Sequence, residues 1–125
     1  MSPTKRAQRA VAVVGALLLA VACGGNAPAD PGTADAGRGE SAYLVACGAC
    51  HGSAGEGIIG LGKPLSHSDF IAGLTDEDLL AFIVMGRPTT DPENTSGIAM
   101  PPRGGRTNLT DSEIRDIIAY LRSLQ

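Results

Sequence analysis

Large flat side chains are nearly absent from this 125-residue sequence, which has no tryptophan, two tyrosines and two phenylalanines. The length leaves room for one small domain. Domains of under about 100 residues with so little core material usually need a disulfide, a metal or a cofactor to stabilise them. The composition therefore predicts a single small domain whose core is completed by something other than its own apolar side chains.

An excess of positive charge is also absent, since the formal net charge is -3, which gives no support to nucleic-acid binding. Residues 23–125 carry thirteen acidic and seven basic side chains, a difference of -6. No run of alternating apolar and polar residues is long enough to predict a strand. We therefore expect a mostly helical domain with an acidic surface and long loops rich in glycine and proline.

The first 22 residues are typical of a targeting segment, with the basic stretch KRAQR followed by an apolar run up to residue 22. That run is shorter than the about 20 residues that span a bilayer. The stretch LLLAVAC, which ends at Cys23, resembles the lipobox of bacterial lipoproteins. The resemblance implies a signal peptide over 1–22 and a lipid on Cys23 that anchors the protein outside the cytoplasm, in the periplasm or on the outer face of the cell membrane. An ordinary secretory signal and an uncleaved anchor stay open.

The segment that follows is expected to remain unfolded. From Gly24 to Gly37 the sequence GGNAPADPGTADAG holds no apolar residue larger than alanine, so it cannot bury enough surface to fold. We interpret residues 23–37 as a flexible tether with a root-mean-square reach of about 20 Å. Residues 38–125 then form the folded domain.

Three helices can be placed in that domain. The first is expected from about Gly39 into Cys47. The second begins at Thr75, where TDED offers a capping oxygen and three carboxylates, and ends at Gly86. The third begins with the capping box TDSE at residues 110–113. Its apolar stripe consists of Ile114, Ile117, Ile118, Leu121 and Leu124.

The sequence CGACH at residues 47–51 could hold zinc, perform thiol-disulfide exchange or carry a covalent haem. A closed zinc site needs four ligands, and only Cys23 and His67 remain outside the motif. A thioredoxin-type site follows a strand, whereas a predicted helix precedes this motif. A disulfide between Cys47 and Cys50 would close too small a loop to add much stability. Covalent haem meets each condition, because both thiols can form thioethers with one porphyrin edge while His51 ligates the iron.

An iron bound by His51 has a second axial position, for which Met85, Met100 and His67 are the candidates. Met85 lies near the end of the second predicted helix, where we expect it to pack in the core. We expect His67 to be an exposed loop residue. Met100 stands in the loop GIAMPPRGG with no helix face to pack into, and the two prolines after it stiffen the backbone. Met100 is therefore the favoured ligand.

The predicted domain resembles the class I cytochromes c, small proteins with one haem whose iron is bound by histidine and methionine. The resemblance covers residues 38–125 and rests on Gly39 and Tyr43 at four-residue steps before Cys47, CGACHG, Pro64, LTDEDLLAFIVMGRP, Met100 with Pro101, and LTDSEIRDIIAYLRSLQ. It implies an all-α cytochrome c fold, with three to four helices and long loops wrapped around one covalently bound haem c.

The resemblance also implies roles for individual residues. Cys47 and Cys50 would form the thioethers to the haem. His51 and Met100 would be the axial ligands of the iron. The carbonyl of Pro64 would accept a hydrogen bond from the ring nitrogen of His51 and fix the orientation of that ring.

Three further positions follow from the same resemblance. Gly39 would let the first helix cross closely over the last one, near Tyr120. Arg87 and Arg103 would either pair with the haem propionates or lie solvated at the surface.

The implied function is electron transfer rather than catalysis. We expect an exported monomer, held at a membrane by its N-terminal lipid or anchor, that shuttles single electrons between membrane redox complexes. Two alternatives stay open: a haem subunit of a larger oxidoreductase, and a haem enzyme or sensor whose open distal side binds a small molecule. Met100 distinguishes the electron carrier from the enzyme or sensor, because a thioether ligand closes the distal side.

Overall fold

The computed structural model describes residues 32–125, so the predicted signal peptide, Cys23 and most of the predicted tether lie outside the described residues. The described part of the chain contains no strand. It contains five α-helices and one short 3-10 helix: α1 Ala36–Ala46, α2 Gly48–His51, α3 Asp69–Gly73, α4 Asp76–Met85, the 3-10 helix Pro102–Gly105 and α5 Asp111–Ser123. None of these helices is long and apolar enough to cross a bilayer.

The all-α fold predicted from the sequence is confirmed, and the two strongest helix predictions are correct. Thr75 caps α4 by accepting from the backbone N–H of Asp78, and Gly86 ends that helix with a φ of 69°. Thr110 and Glu113 form the complete capping box of α5. The helix count exceeds the expected three to four because α2 and α3, of four and five residues, are single turns without a periodic apolar pattern.

The first helix begins earlier than predicted. Its N-cap is Asp35, whose carboxylate accepts from the backbone N–H of Arg38. The helix therefore includes Ala36 and Gly37, which the composition had assigned to the tether, and the boundary expected at residue 38 falls inside α1. The physical reason is tertiary, because the backbone N–H of Asp35 and the side chain of Arg38 both donate to Asp116 in α5.

The core lies where α1 and α4 pack against α5. A Cβ atom on Gly39 would lie 1.9 Å from the carbonyl oxygen of Asp116, so the crossing of α1 over α5 requires glycine at this point. The expected close crossing is thus confirmed, but it lies one turn before Tyr120. Tyr120 packs instead on Tyr43, with ring centroids 5.2 Å apart. The remaining core side chains are Ile71, Leu79, Leu80, Ile83, Leu109, Ile114, Ile117, Ile118 and Leu121.

Asp116 is a buried carboxylate that ties the start of α1 to α5, with only 6% of the residue exposed. It accepts from the Arg38 side chain at 2.8 and 2.9 Å and from the backbone N–H of Asp35 at 2.8 Å. The hydrogen bond from Arg38 is the main reason why the pKa of Asp116 lies below its ordinary value of 3.8. A depressed carboxylate pKa stabilises the fold above the unfolded-state pKa, and this stabilisation is lost as the pH falls below it.

We expect Asp116→Asn to unfold at a lower temperature than the wild type at neutral pH, because the amide cannot form the ion pair. The gap between the two proteins should shrink as the pH falls from about 5 towards 3, because the carboxylate of the unfolded wild-type chain, with a pKa of about 3.9, takes up a proton there before the folded one does. Thermal unfolding followed by circular dichroism across this range measures the gap. Asp69→Asn, a change on the exposed surface of α3, should keep the wild-type pH dependence. A gap that stays constant with pH would contradict the assignment.

Candidate haem site

The motif CGACH forms one turn of helix directly after α1. Cys47 is both the C-cap of α1 and the N-cap of α2. Its carbonyl oxygen accepts from the backbone N–H groups of Cys50 at 3.1 Å and His51 at 3.0 Å. The turn is fixed to the core by the buried hydroxyl of Tyr43, which donates to the carbonyl of Gly52 at 2.7 Å. Helical spacing therefore brings Cys47, Cys50 and His51 together.

His51 is oriented by a backbone carbonyl, but not by the predicted one. Its Nδ1 lies 2.8 Å from the carbonyl oxygen of Lys63, so the expected role of the Pro64 carbonyl is corrected by one residue. Since a carbonyl only accepts, Nδ1 carries the proton and Nε2 is left with the lone pair that a metal needs. Proline fixes its own φ but does not determine which neighbouring carbonyl faces the ring, and this is why the sequence did not identify Lys63 as the acceptor.

The loop that supplies this carbonyl packs closely on the motif. Ile58 and Gly62 exchange backbone hydrogen bonds of 2.9 and 3.1 Å, which close a tight turn. A Cβ atom on Gly62 would lie 2.1 Å from the carbonyl oxygen of Cys50 and 3.1 Å from Nδ1 of His51. Only glycine lets the loop come close enough for the Lys63 carbonyl to reach the histidine ring.

An apolar cleft lies beside this turn. Cys47, His51 and Met100 all line it, whereas Cys50 lies at the surface. The other lining residues come from the loops and from α3, α4 and α5: Leu65, Phe70, Ile71, Leu79, Phe82, Ile83, Arg103, Gly104, Leu109, Ile117 and Leu121. The walls of the cleft suit a large flat apolar group with few polar contacts.

Met100 is half-buried and packs against the core. Its backbone N–H and carbonyl both bond to Arg87, each at 2.9 Å, in an isolated antiparallel bridge. The expectation for Met85 is wrong, because this residue is 74% exposed. The buried face of α4 consists of Leu79, Leu80 and Ile83, and Met85 lies off that face. His67 is exposed, as predicted.

Arg87 and Arg103 are both occupied by protein partners. Arg87 forms ion pairs with Asp91 at 3.3 Å and Glu93 at 3.1 Å. Arg103 lines the cleft, pairs with Asp111 at 2.8 Å and donates to the carbonyl of Leu109 at 2.7 Å. Their side chains are 18% and 26% exposed, so neither is the solvated surface group that was one of the two expectations.

The zinc and dithiol alternatives have no support in the described residues. Within 32–125 no three or more histidine, cysteine, aspartate or glutamate side chains are grouped so that they could hold a metal ion. Burial, with the neighbouring Cys50 thiol as a smaller cause, raises the pKa of the Cys47 thiol to about 11. A reactive dithiol needs the opposite shift, because the thiolate is the nucleophile.

A comparison with protein-family models matches residues 34–121 to cytochrome c oxidase, cbb3-type, subunit III. The chain belongs to this family. It is therefore a c-type cytochrome whose cofactor is covalently bound haem c and whose chemistry is haem electron transfer. The matched region starts at residue 34, close to the observed cap of α1 rather than at residue 38. A comparison with curated proteins found no match.

The described residues fit this cofactor. Two thiols lie on one helical turn and a histidine is oriented by a backbone acceptor. A methionine lines the same cleft, and the remaining walls are almost entirely apolar. Sequence reasoning missed the carbonyl of Lys63 and the bridge between Arg87 and Met100. No local sequence pattern predicts either contact, because each contact joins segments that are separated along the chain.

Proposed function

We propose that this chain is a monohaem electron-transfer protein in which Cys47 and Cys50 form the thioethers and His51 and Met100 are the axial ligands. The observation that carries the proposal is that His51 and Met100 line one apolar cleft beside Cys47. Bound haem supplies a one-electron couple at its iron, tuned by the axial ligands and by the polarity of the surroundings.

The protein contributes rigidity at both candidate ligands. The Lys63 carbonyl fixes the ring of His51, and the backbone of Met100 is fixed by its two hydrogen bonds to Arg87. Ligands held in this way would move little between oxidation states, which keeps the reorganisation small. The apolar side chains around the cleft exclude water from it, and this favours the less charged state of the bound group.

No side chain needs to act as an acid, a base or a nucleophile in this function. A thioether ligand raises the reduction potential of haem iron. We therefore place the protein at the oxidising end of an electron-transfer chain, with membrane redox complexes as its donor and acceptor.

The surface charge supports a basic partner. Each arginine of residues 32–125 bonds to a protein carboxylate or carbonyl: Arg38, Arg87, Arg103, Arg106, Arg115 and Arg122. Lys63 is then the one cationic side chain in this part of the chain that is not held by such a bond. The acidic excess of residues 32–125 is thus left to face solvent, where it would attract a positively charged docking surface.

We further propose that the protein works outside the cytoplasm, where c-type cytochrome domains are generally found. A lipid on Cys23, or an anchor over residues 1–22, would hold it at the membrane. Support for this comes from the basic and apolar N-terminal pattern and from LLLAVAC.

A second candidate is a resident haem subunit of a cbb3-type oxidase, which the family match favours. The two candidates differ in how long the protein stays with its partner. A mobile carrier makes a small and transient contact, whereas a subunit buries a larger and more apolar interface.

Purification of the mature protein from detergent-solubilised membranes tests both candidates together. Mass spectrometry of the product is expected to show one covalent haem on the segment that contains Cys47 and Cys50, and a lipid on Cys23. A carrier would purify alone, and its rate of reduction by membranes would fall as salt is added. Stoichiometric co-purification with oxidase subunits would establish the second candidate, and the absence of covalent haem would refute both.

A further inference from the structure

A single residue holds both backbone hydrogen-bonding groups of Met100. The Arg87 backbone N–H donates to the Met100 carbonyl and the Met100 N–H donates to the Arg87 carbonyl, each over 2.9 Å. The preceding residue, Gly86, packs against the same segment, since a Cβ atom there would lie 2.4 Å from the carbonyl oxygen of Met100. The position of Met100 therefore follows the position of Arg87.

The side chain of Arg87 is itself fixed by two aromatic rings. Its guanidinium carbon lies 4.8 Å from the ring centroid of Phe82 and 5.2 Å from that of Phe70. The two rings meet edge to face, with centroids 5.1 Å apart. Contacts of this kind favour a cation over the ring face, and more so when the cation is partly desolvated.

Two carboxylates on the following loop hold the other edge of the guanidinium. Nε of Arg87 lies 3.3 Å from Asp91, and its Nη2 donates to Glu93 at 3.1 Å. The intervening loop, residues 88–99, is closed internally by Asn94, which donates to the carbonyls of Pro88 and Ile98. The loop between Arg87 and Met100 is thus a compact unit whose two ends meet at the bridge.

Both aromatic rings also form part of the cleft wall, whereas Arg87 is not among the residues that line the cleft. Arg87 therefore packs against Phe70 and Phe82 without lining the cleft itself. Any influence on the site passes through the two rings and through the backbone of Met100.

We propose that Arg87 is a positioning residue for Met100. Its stacking on the phenylalanines and its pairing with Asp91 and Glu93 hold the bridge closed, and the closed bridge keeps the Met100 side chain at the cleft. This inference rests on the proposed axial role of Met100, and the experiment below separates failure of one from failure of the other.

The test measures how fast added imidazole displaces the thioether in the oxidised, haem-loaded protein, with Arg87→Ala and Arg87→Lys as variants. The weak red charge-transfer band of thioether-bound ferric iron reports the displacement by stopped flow. We expect Arg87→Ala to accelerate it about tenfold, as expected for loss of a desolvated cation–π contact. Arg87→Lys, which keeps the charge but not the flat stacking face, should fall between the two.

Arg115→Ala is the matched control. Arg115 makes a comparable double hydrogen bond, to Glu77 at 2.6 and 3.1 Å, but does not line the cleft. In this variant, imidazole should displace the thioether at the wild-type rate. If Arg87→Ala does not fold, Arg87→Lys decides the matter, and a wild-type rate in whichever variant is measured overturns the proposal. A wild-type protein without the red band would instead refute the axial role of Met100.

Discussion

Replacing Gly39 by alanine is expected to lower the free energy of unfolding by more than about 3 kcal/mol, at the upper end of the cost of overpacking a core. The added methyl group would lie 1.9 Å from the carbonyl oxygen and 2.4 Å from the carbonyl carbon of Asp116. Both atoms belong to the backbone of α5, so no rotation of a side chain can relieve the overlap. The two helices must move apart, and urea unfolding of the haem-loaded protein measures the loss.

Gly37→Ala is the matched control in the same helix. A Cβ atom at Gly37 would have the Asp35 carboxylate as its nearest neighbour, at an ordinary 3.4 Å, and the residue is exposed. Alanine should therefore stabilise the helix there by up to about 1 kcal/mol. Equal stability of the two alanine variants would show that the helices do not cross at Gly39.

Met100→Ala is expected to have the largest effect on the redox chemistry. Without the thioether, the red charge-transfer band should disappear and the reduction potential should fall by on the order of 0.1 V or more, within the about 0.8 V that axial ligation spans. The vacated position should also bind small ligands such as imidazole without displacing a protein group. Absorption spectroscopy and a redox titration measure these changes.

Met85→Ala provides the comparison, because it removes a methionine of the same chemistry from an exposed position on α4. It should leave both the band and the potential as they are in the wild type. A Met100→Ala protein with an unchanged spectrum would assign the second axial ligand elsewhere and reopen the alternative of an open distal side.

The parts of the fold that could be predicted from the sequence are those coded by neighbouring residues. Thr75 and Thr110 each stand before acidic residues and an apolar pattern, and the caps that they form involve residues only three positions away. The start of α1 was misplaced because Asp35 and Arg38 are held by Asp116, which lies 81 and 78 residues further along the chain. Composition alone cannot predict a contact between residues so far apart in the sequence.

The residues of the candidate site also differ in how far they could be predicted from local sequence. The spacing of Cys47, Cys50 and His51 is local, and one helical turn was enough to predict their grouping. Met100 was singled out because its loop offers no helix face, and the structure does place it at the cleft. Met85 was misjudged because α4 is apolar on several sides, so the apolar character of this residue did not show that it lies off the buried face. The residue that holds Met100 could not be found, since its bridge closes over a loop of twelve residues, 88–99.

The hydrogen-bond acceptor for His51 is a main-chain carbonyl, whereas the segment of Met100 is held through the side chain of Arg87. Single substitutions can therefore disturb the two candidate ligands unequally. Any amino acid at position 63 carries the same carbonyl, so single substitutions there leave the hydrogen bond to His51 in place. The methionine side depends on the guanidinium of Arg87, which one codon change can remove. Of the two positions, we therefore expect substitutions at 87 to change the reduction potential and substitutions at 63 to leave it nearly unchanged.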